Sequence, residues 1–296
     1  MLQRRHSTRK SVWEERGRKM KKVQLGRFCC ALLGIAVAAW LAPAAAAQSV
    51  TYKPYIGLGD AGGFSSSDQM VVAWQTDEKS PNPSAYSVEF GTATLYGASV
   101  TPSARVVNNY LAADPTLPVP PTASGPHSDY SAVLKNLAYD TTYFYRVTGP
   151  GMPAGGFTAS FHTRKQSDHF SFLVQGDEGF FPPEPNSNPP RLADYEARII
   201  HLMYNAENLS VPGVPQLPHP DIALNTGDNV YTNGAEGSYR DYWMPVWNSD
   251  TDSNETGAPF IRSIPFFIVV GNHDTGATGV NVNMLGGDGE IGRAHV

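Results

Sequence analysis

Between Thr51 and about Thr163 the apolar residues fall in short runs broken by turn residues. Met70-Val71-Val72-Ala73-Trp74-Gln75-Thr76 predicts a strand with a central Trp, and 86–91 alternates apolar with polar until it stops at Gly91. Further strands are expected over 130–134, 143–147 and 157–162, separated by turn signals such as Asn82-Pro83 and Gly149-Pro150-Gly151. Short strands at regular turn spacing predict an all-β sandwich over residues 48–165. Trp74 is expected in its core. Tyr143, at the end of Leu137-Ala138-Tyr139-Asp140-Thr141-Thr142-Tyr143, is expected to tie a loop to a strand through its hydroxyl as a tyrosine corner. The polar, Pro-rich stretch 112–126 reads as an exposed loop.

A linker near 164–168 ends this pattern, and an α/β pattern follows over 168–289. Apolar runs at 170–175, 221–225 and 264–270 predict three buried strands. Between the first two, Leu192, Tyr195, Ile199, Leu202, Met203 and Ala206 recur at helical spacing, so 191–207 is expected to be a helix. Strands alternating with helix predict a sheet covered on its faces. The stretch 237–250, with Tyr239, Tyr242, Trp243 and Trp247, reads as a partly helical aromatic wall that serves packing.

The first 47 residues change the picture. A basic stretch from Lys21 to Arg27, an apolar run over 28–41, then Pro43 and Ala44 to Ala47 give the pattern of a secretory signal peptide behind an N-terminal extension. The apolar run is shorter than the roughly 20 residues a spanning helix needs, so no transmembrane anchor is expected in the mature chain. Localisation is expected to be secreted or periplasmic. Both cysteines, Cys29 and Cys30, lie inside this segment, which excludes thiolate metal sites and cysteine nucleophiles from the mature chain.

Charge divides in the same place. Ten of the 22 Lys and Arg precede Gln48, but only two of the 27 Asp and Glu do, leaving 12 basic against 25 acidic residues, a formal charge of −13. So acidic a chain has little attraction for nucleic-acid phosphates. An anionic substrate would depend on locally placed cations.

Three segments carry candidate chemistry: Gly176-Asp177-Glu178-Gly179, Gly227-Asp228-Asn229-Val230-Tyr231 and Gly271-Asn272-His273-Asp274. A lone Gly-Asp pair is an ordinary turn. Here three oxygen-bearing segments each follow an apolar run of strand character. Neighbouring strands would bring their ends to one edge of a sheet, where open α/β folds place their sites. Converging carboxylates repel unless a cation neutralises them, and hard oxygen donors suit hard divalent or trivalent metals.

The order GDxG, GDxxY and GNHD behind a fibronectin III-like β-domain resembles the purple acid phosphatases, within the calcineurin-like metallophosphoesterases. The resemblance covers roughly residues 52–289, and the Tyr of GDxxY is its most specific part. It implies that Asp177 binds one metal, Asp228 bridges two, Tyr231 gives a phenolate to iron(III), and Asn272 binds the second metal through its amide oxygen. His273 would contact the substrate phosphate or leaving-group oxygen, with Asp274 orienting it. The implied cofactors are two metal ions, Fe(III) with Fe(II), Zn(II) or Mn(II). The implied activity is hydrolysis of phosphate monoesters, on a small phosphorylated substrate, by metal-activated hydroxide.

The family's remaining histidine ligands come from a lone His and a GHxH element further downstream, whereas only His295 follows Asp274 here. His162, His169, His201 and His219 fit no ligand position of the family and are expected in surface or core roles. The tail 290–296 matches the translation of a common sequencing-adapter sequence. The expectation is therefore a C-terminally truncated phosphoesterase domain ending natively near Gly289, with a weak metal site, little turnover and an uncovered apolar sheet face. Two other functions fit the residues: a phosphodiesterase or nucleotidase of the same superfamily, and a non-catalytic cell-surface binding module. Intact Asp177, Asp228, Tyr231, Asn272 and His273 disfavour the latter. Oligomeric state is not legible.

Overall fold

The computed structural model describes residues 48–59, 64–108, 125–178, 194–231 and 233–275. The expected signal segment with its two cysteines, most of the 112–126 loop, Gly179, the first residues of the 191–207 helix and the 290–296 tail lie outside them.

The first part is a sandwich of two four-stranded antiparallel sheets. One contains β1 (Val50–Leu58), β2 (Asp68–Thr76), β5 (Ser103–Val107) and β6 (His127–Leu137), ordered β1-β2-β6-β5. The other contains β3 (Ser87–Gly91), β4 (Ala98–Val100), β7 (Thr142–Thr148) and β8 (Phe157–His162), ordered β4-β3-β7-β8. The core between them takes Ile56, Met70, Val72, Trp74, Tyr130 and Leu134 from one sheet and Val88, Tyr145, Val147 and Phe161 from the other. Trp74 stacks on Tyr130, with ring centroids 5.2 Å apart. Tyr143 forms the expected corner, its hydroxyl accepting the Ala138 N–H at 3.0 Å. β1, β4 and β5 were not legible as strands. β4 is only three residues long, and β5 has one buried residue, Val107.

The run of apolar residues in β2 has a physical reason: the strand is buried on both faces. Met70, Val72 and Trp74 enter the sandwich core. Val71 and Ala73 point the other way, into a second core with Tyr52, Tyr55, Trp243, Trp247, Phe260 and Phe266. The sandwich and the α/β part therefore share hydrophobic contacts. Ile56 N–H donates to Ile261 O at 2.8 Å, and Tyr145 hydroxyl donates to Arg262 O at 3.0 Å. Where the sandwich ends, Arg164 is pinned by Asp68: its Nε donates to Oδ1 and its backbone N–H to Oδ2, both at 2.8 Å.

The α/β part contains β9 (Phe172–Gln175), α1 (Asp194–Tyr204), β10 (Ile222–Asn225) and β11 (Phe266–Ile268). The strands are parallel in the order β11-β10-β9, and Gln175, Asn225 and Ile268 share one register row. An aromatic helical run precedes β11: an α-turn at Glu236–Ser238, a π-turn at Tyr239–Trp243 and an α-turn at Met244–Trp247. Trp243 and Trp247 are fully buried, so this wall is packing, as expected.

Two expectations need correction. Phe172 and Val174 are 53% and 54% exposed, so edge strand β9 covers only one of its faces among the described residues. Of the expected stripe along 191–207, Tyr195, Ile199 and Leu202 are exposed, whereas Met203 packs against the second core and Ala206 is buried. The helix also buries Ala197 and Ile200 and packs Tyr204 against that core. The helix has apolar residues on two faces, and periodicity alone does not say which one the aromatic run selects. No helix among the described residues is long and apolar enough to cross a membrane.

Candidate functional site

Because β9, β10 and β11 are parallel neighbours in register, their C-terminal ends fall along one edge of the sheet. Asp177 lies two residues beyond Gln175, Asp228 three beyond Asn225 and Asn272 four beyond Ile268. The three segments are thus brought together as their order suggested.

The first two turns repeat one geometry. Asp177 and Asp228 both adopt left-handed backbone, with φ of 53° and 56°. Aspartate is among the few residues that tolerate this conformation. The turns are joined by Asp177 N–H donating to Gly227 O at 3.0 Å and Glu178 N–H donating to Asp228 O at 3.2 Å. Gly227, at φ 110°, lies where an added Cβ would come within 2.7 Å of the Gly271 Cα. That close approach seats the third turn on the second.

Asp228 is the buried centre of the group. Its Oδ1 accepts the His273 N–H at 2.9 Å. The Tyr231 and His273 rings meet edge to face, with centroids 4.3 Å apart. Desolvation and the charges of Asp228, Asp177 and Asp274 push the Tyr231 phenol above its ordinary value. Three carboxylates therefore bear on one phenol, which concentrates negative potential at the sheet edge. Asp177 and Asn272 stand exposed at its rim.

Asp274 lies beneath, 6% exposed. Its Oδ1 accepts from Asn229 N–H at 3.0 Å, Val230 N–H at 3.3 Å and the Tyr239 hydroxyl at 2.8 Å. Its Oδ2 accepts from Gly271 N–H at 2.8 Å and Asn229 Nδ2 at 3.0 Å. These contacts tie the third turn to the second and to the helical run. Orientation of His273 would follow from them through the backbone.

Sequence reasoning missed Glu178, Asn225, Asn229 and Tyr239. The Glu178 carboxylate accepts from Trp243 Nε1 at 3.0 Å and Trp247 Nε1 at 2.9 Å on one oxygen, and from Gln175 Nε2 at 2.8 Å and Asn225 Nδ2 on the other. Desolvation pushes this carboxyl up to about 8, against the pull of those indole and amide N–H groups. The residue still keeps some exposed surface. Asn225 is oriented by its Oδ1, which accepts Gly227 N–H at 2.6 Å. The one available signal was the i, i+4 spacing of Trp243 and Trp247, which puts both indoles on one helical face.

The donor set is oxygen-rich: two carboxylates, a phenol and an amide oxygen. It suits a hard cation. No cluster of three or more His, Cys, Asp or Glu gathers around a common point among the described residues. Three of the four histidines not expected as ligands pair with acids: His162 with Asp140 at 2.9 Å, His201 with Asp252 at 2.6 Å and His219 with Glu207 at 3.3 Å.

The family comparison agrees with the β-domain. Residues 62–172 match the family model of the purple acid phosphatase N-terminal domain. Over those residues the chain carries that domain, and in this sense it is purple acid phosphatase-like. Among solved structures, the purple acid phosphatase PPD1 isolated from yellow lupin (Lupinus luteus) seeds is similar at 17% identity and a TM-score of 0.46. The match covers 81% of this chain and 39% of that one, so this chain spans well under half of that protein's length. No curated protein matches the chain.

Proposed function

We propose that the chain belongs to a secreted phosphoesterase that hydrolyses phosphate monoesters at a binuclear metal centre. The observation that carries this reading is the convergence on Asp228: its carboxylate accepts the His273 N–H, and the Tyr231 ring packs edge to face on the His273 ring, at the shared end of three parallel strands. An excess of oxygen donors and negative charge at one sheet edge calls for a cation.

Asp177, Asp228, Tyr231 and Asn272 would hold that cation pair, iron(III) with iron(II), zinc or manganese. Such ions lower the pKa of a coordinated water and hold phosphate oxygens. The chain's own residues do the rest. Asp228 holds the third turn in place through the His273 N–H. The His273 ring, set against Tyr231, would contact the phosphate or deliver a proton to the leaving-group oxygen. Asp274 positions the turn that bears it. Exposure of Asp177 and Asn272 leaves the rim open to a small phosphorylated substrate.

The test is iron(III) titration of the full chain with visible spectroscopy. A charge-transfer band that both Tyr231→Phe and Asp228→Asn abolish supports the reading. Iron binding without a tyrosine-dependent band overturns it.

A further inference from the structure

We infer that Glu178 is a positioning residue for the candidate site: its carboxylate, held by side-chain N–H groups of Trp243, Trp247, Gln175 and Asn225, locks the turn carrying Asp177 against the turn carrying Asp228. This rests on the proposed function only for the site it serves.

The geometry singles out this side chain. A carboxylate has two oxygens, each able to accept two hydrogen bonds, and here each oxygen takes two N–H donors. Two of the donors come from one rigid source. Trp243 and Trp247 lie one turn apart, their rings stacked with centroids 5.4 Å apart, in the core that Tyr52, Tyr55, Val71 and Ala73 of the sandwich also enter. The other two come from the last residues of β9 and β10, the strands whose ends carry Asp177 and Asp228.

Asp177, one residue before Glu178, needs such a clamp. Left-handed backbone is unfavourable for a non-glycine residue and persists where the surroundings over-determine it. Among the described residues, backbone hydrogen bonds from Asp177 and Glu178 join this turn to its neighbour at 3.0 and 3.2 Å, beside the strand-end bond from Thr226 N–H to Gln175 O at 2.7 Å. The Glu178 side chain adds a further tie, to an element that belongs to neither turn. It thereby links the site to the aromatic core on which the sandwich rests.

A structural role confined to satisfying two buried indoles makes a different prediction. The experiment compares the full-length wild type, Glu178→Gln and a control, Leu134→Ala, which removes a fully buried side chain from the sandwich core away from Glu178. Three quantities are read: urea stability, amide hydrogen exchange at Asp177 and Glu178, and Mn(II) affinity by calorimetry. Positioning predicts that Glu178→Gln speeds exchange of those amides by about tenfold or more and weakens Mn(II) binding about 10- to 100-fold. Leu134→Ala should lower stability and leave both site readouts unchanged. The inference is overturned if Glu178→Gln loses stability alone, or if Leu134→Ala reproduces its exchange and binding changes. Should Glu178→Gln not fold, Trp247→Phe removes one donor and leaves a smaller aromatic ring, and unchanged exchange at Asp177 in that variant overturns the inference equally. A wild type that binds no Mn(II) counts against the proposed function, and the exchange arm then still decides the role of Glu178.

Discussion

The backbone N–H of His273 donates to Oδ1 of Asp228 at 2.9 Å, so the third strand-end turn is attached directly to the carboxylate at the centre of the second. Gly271, two residues before His273, makes this attachment possible. A Cβ at that position would lie 2.2 Å from the same Asp228 oxygen and 2.3 Å from the Asp228 N. Both contacts are far inside van der Waals range, and one is with backbone.

Gly271→Ala should therefore push the third turn away from Asp228. The expected loss of stability is about 1–3 kcal/mol, as for overpacking elsewhere. It would be seen as a lower urea midpoint at unchanged m-value.

Asp274→Ala should cost more. It removes the acceptor for the N–H groups of Asn229, Val230 and Gly271 and for the Tyr239 hydroxyl, all buried except the part-buried Gly271 bond. Unsatisfied buried donors cost about 1–3 kcal/mol each before relaxation, so a total of roughly 3 kcal/mol or more is expected. Asp274→Asn keeps the shape but turns one acceptor into a donor, and should recover only part of the loss.

Arg262 connects the α/β part to the sandwich. Its Nε donates to Asn248 Oδ1 at 2.6 Å and its Nη2 to Asn248 O at 2.7 Å, while Asn248 Nδ2 donates to the carbonyls of Lys53 and Pro54. Arg262→Lys should not rescue Arg262→Ala, because an ammonium cannot reproduce the two-pronged contact. Urea melts of both variants would show losses of similar size, about 2 kcal/mol.

Acid stability has an identifiable contributor in Asp250. Partial burial alone would raise its carboxyl, but hydrogen bonds and charge from Lys53 and Arg262 outweigh that and hold it below the ordinary 3.8. A folded value below the unfolded one adds stability that is present above about pH 4 and lost as pH falls through the folded value. The side chain is 66% exposed, so screening keeps the effect under about 1 kcal/mol. Asp250→Asn should flatten the acid limb of a stability-against-pH curve slightly, and less so in high salt.

Much of this was legible in the residues and some could not be. Alternation found β3, β6, β7 and β8 because those strands bury one face and expose the other. The doubly buried β2 was legible from its unbroken apolar run. The three site segments were found because Gly beside Asp or Asn after an apolar run marks a strand-end turn. The exposed sides of α1 and β9 were misassigned, since a helix or strand with two apolar faces does not reveal its packing partner. The Glu178 clamp was illegible because its four donors come from 65 to 69 residues downstream for the indoles, 47 for Asn225 and three upstream for Gln175. Only the fold brings them together.

The central claim is that Asp228 and Tyr231 form one oxygen-donor pair for a hard cation. Iron(III) titration of the full chain, followed by visible absorption, tests it most directly. The account predicts a tyrosine-dependent charge-transfer band that saturates with iron and disappears in both Tyr231→Phe and Asp228→Asn. A band that survives Tyr231→Phe, or iron bound with no band at all, would contradict it.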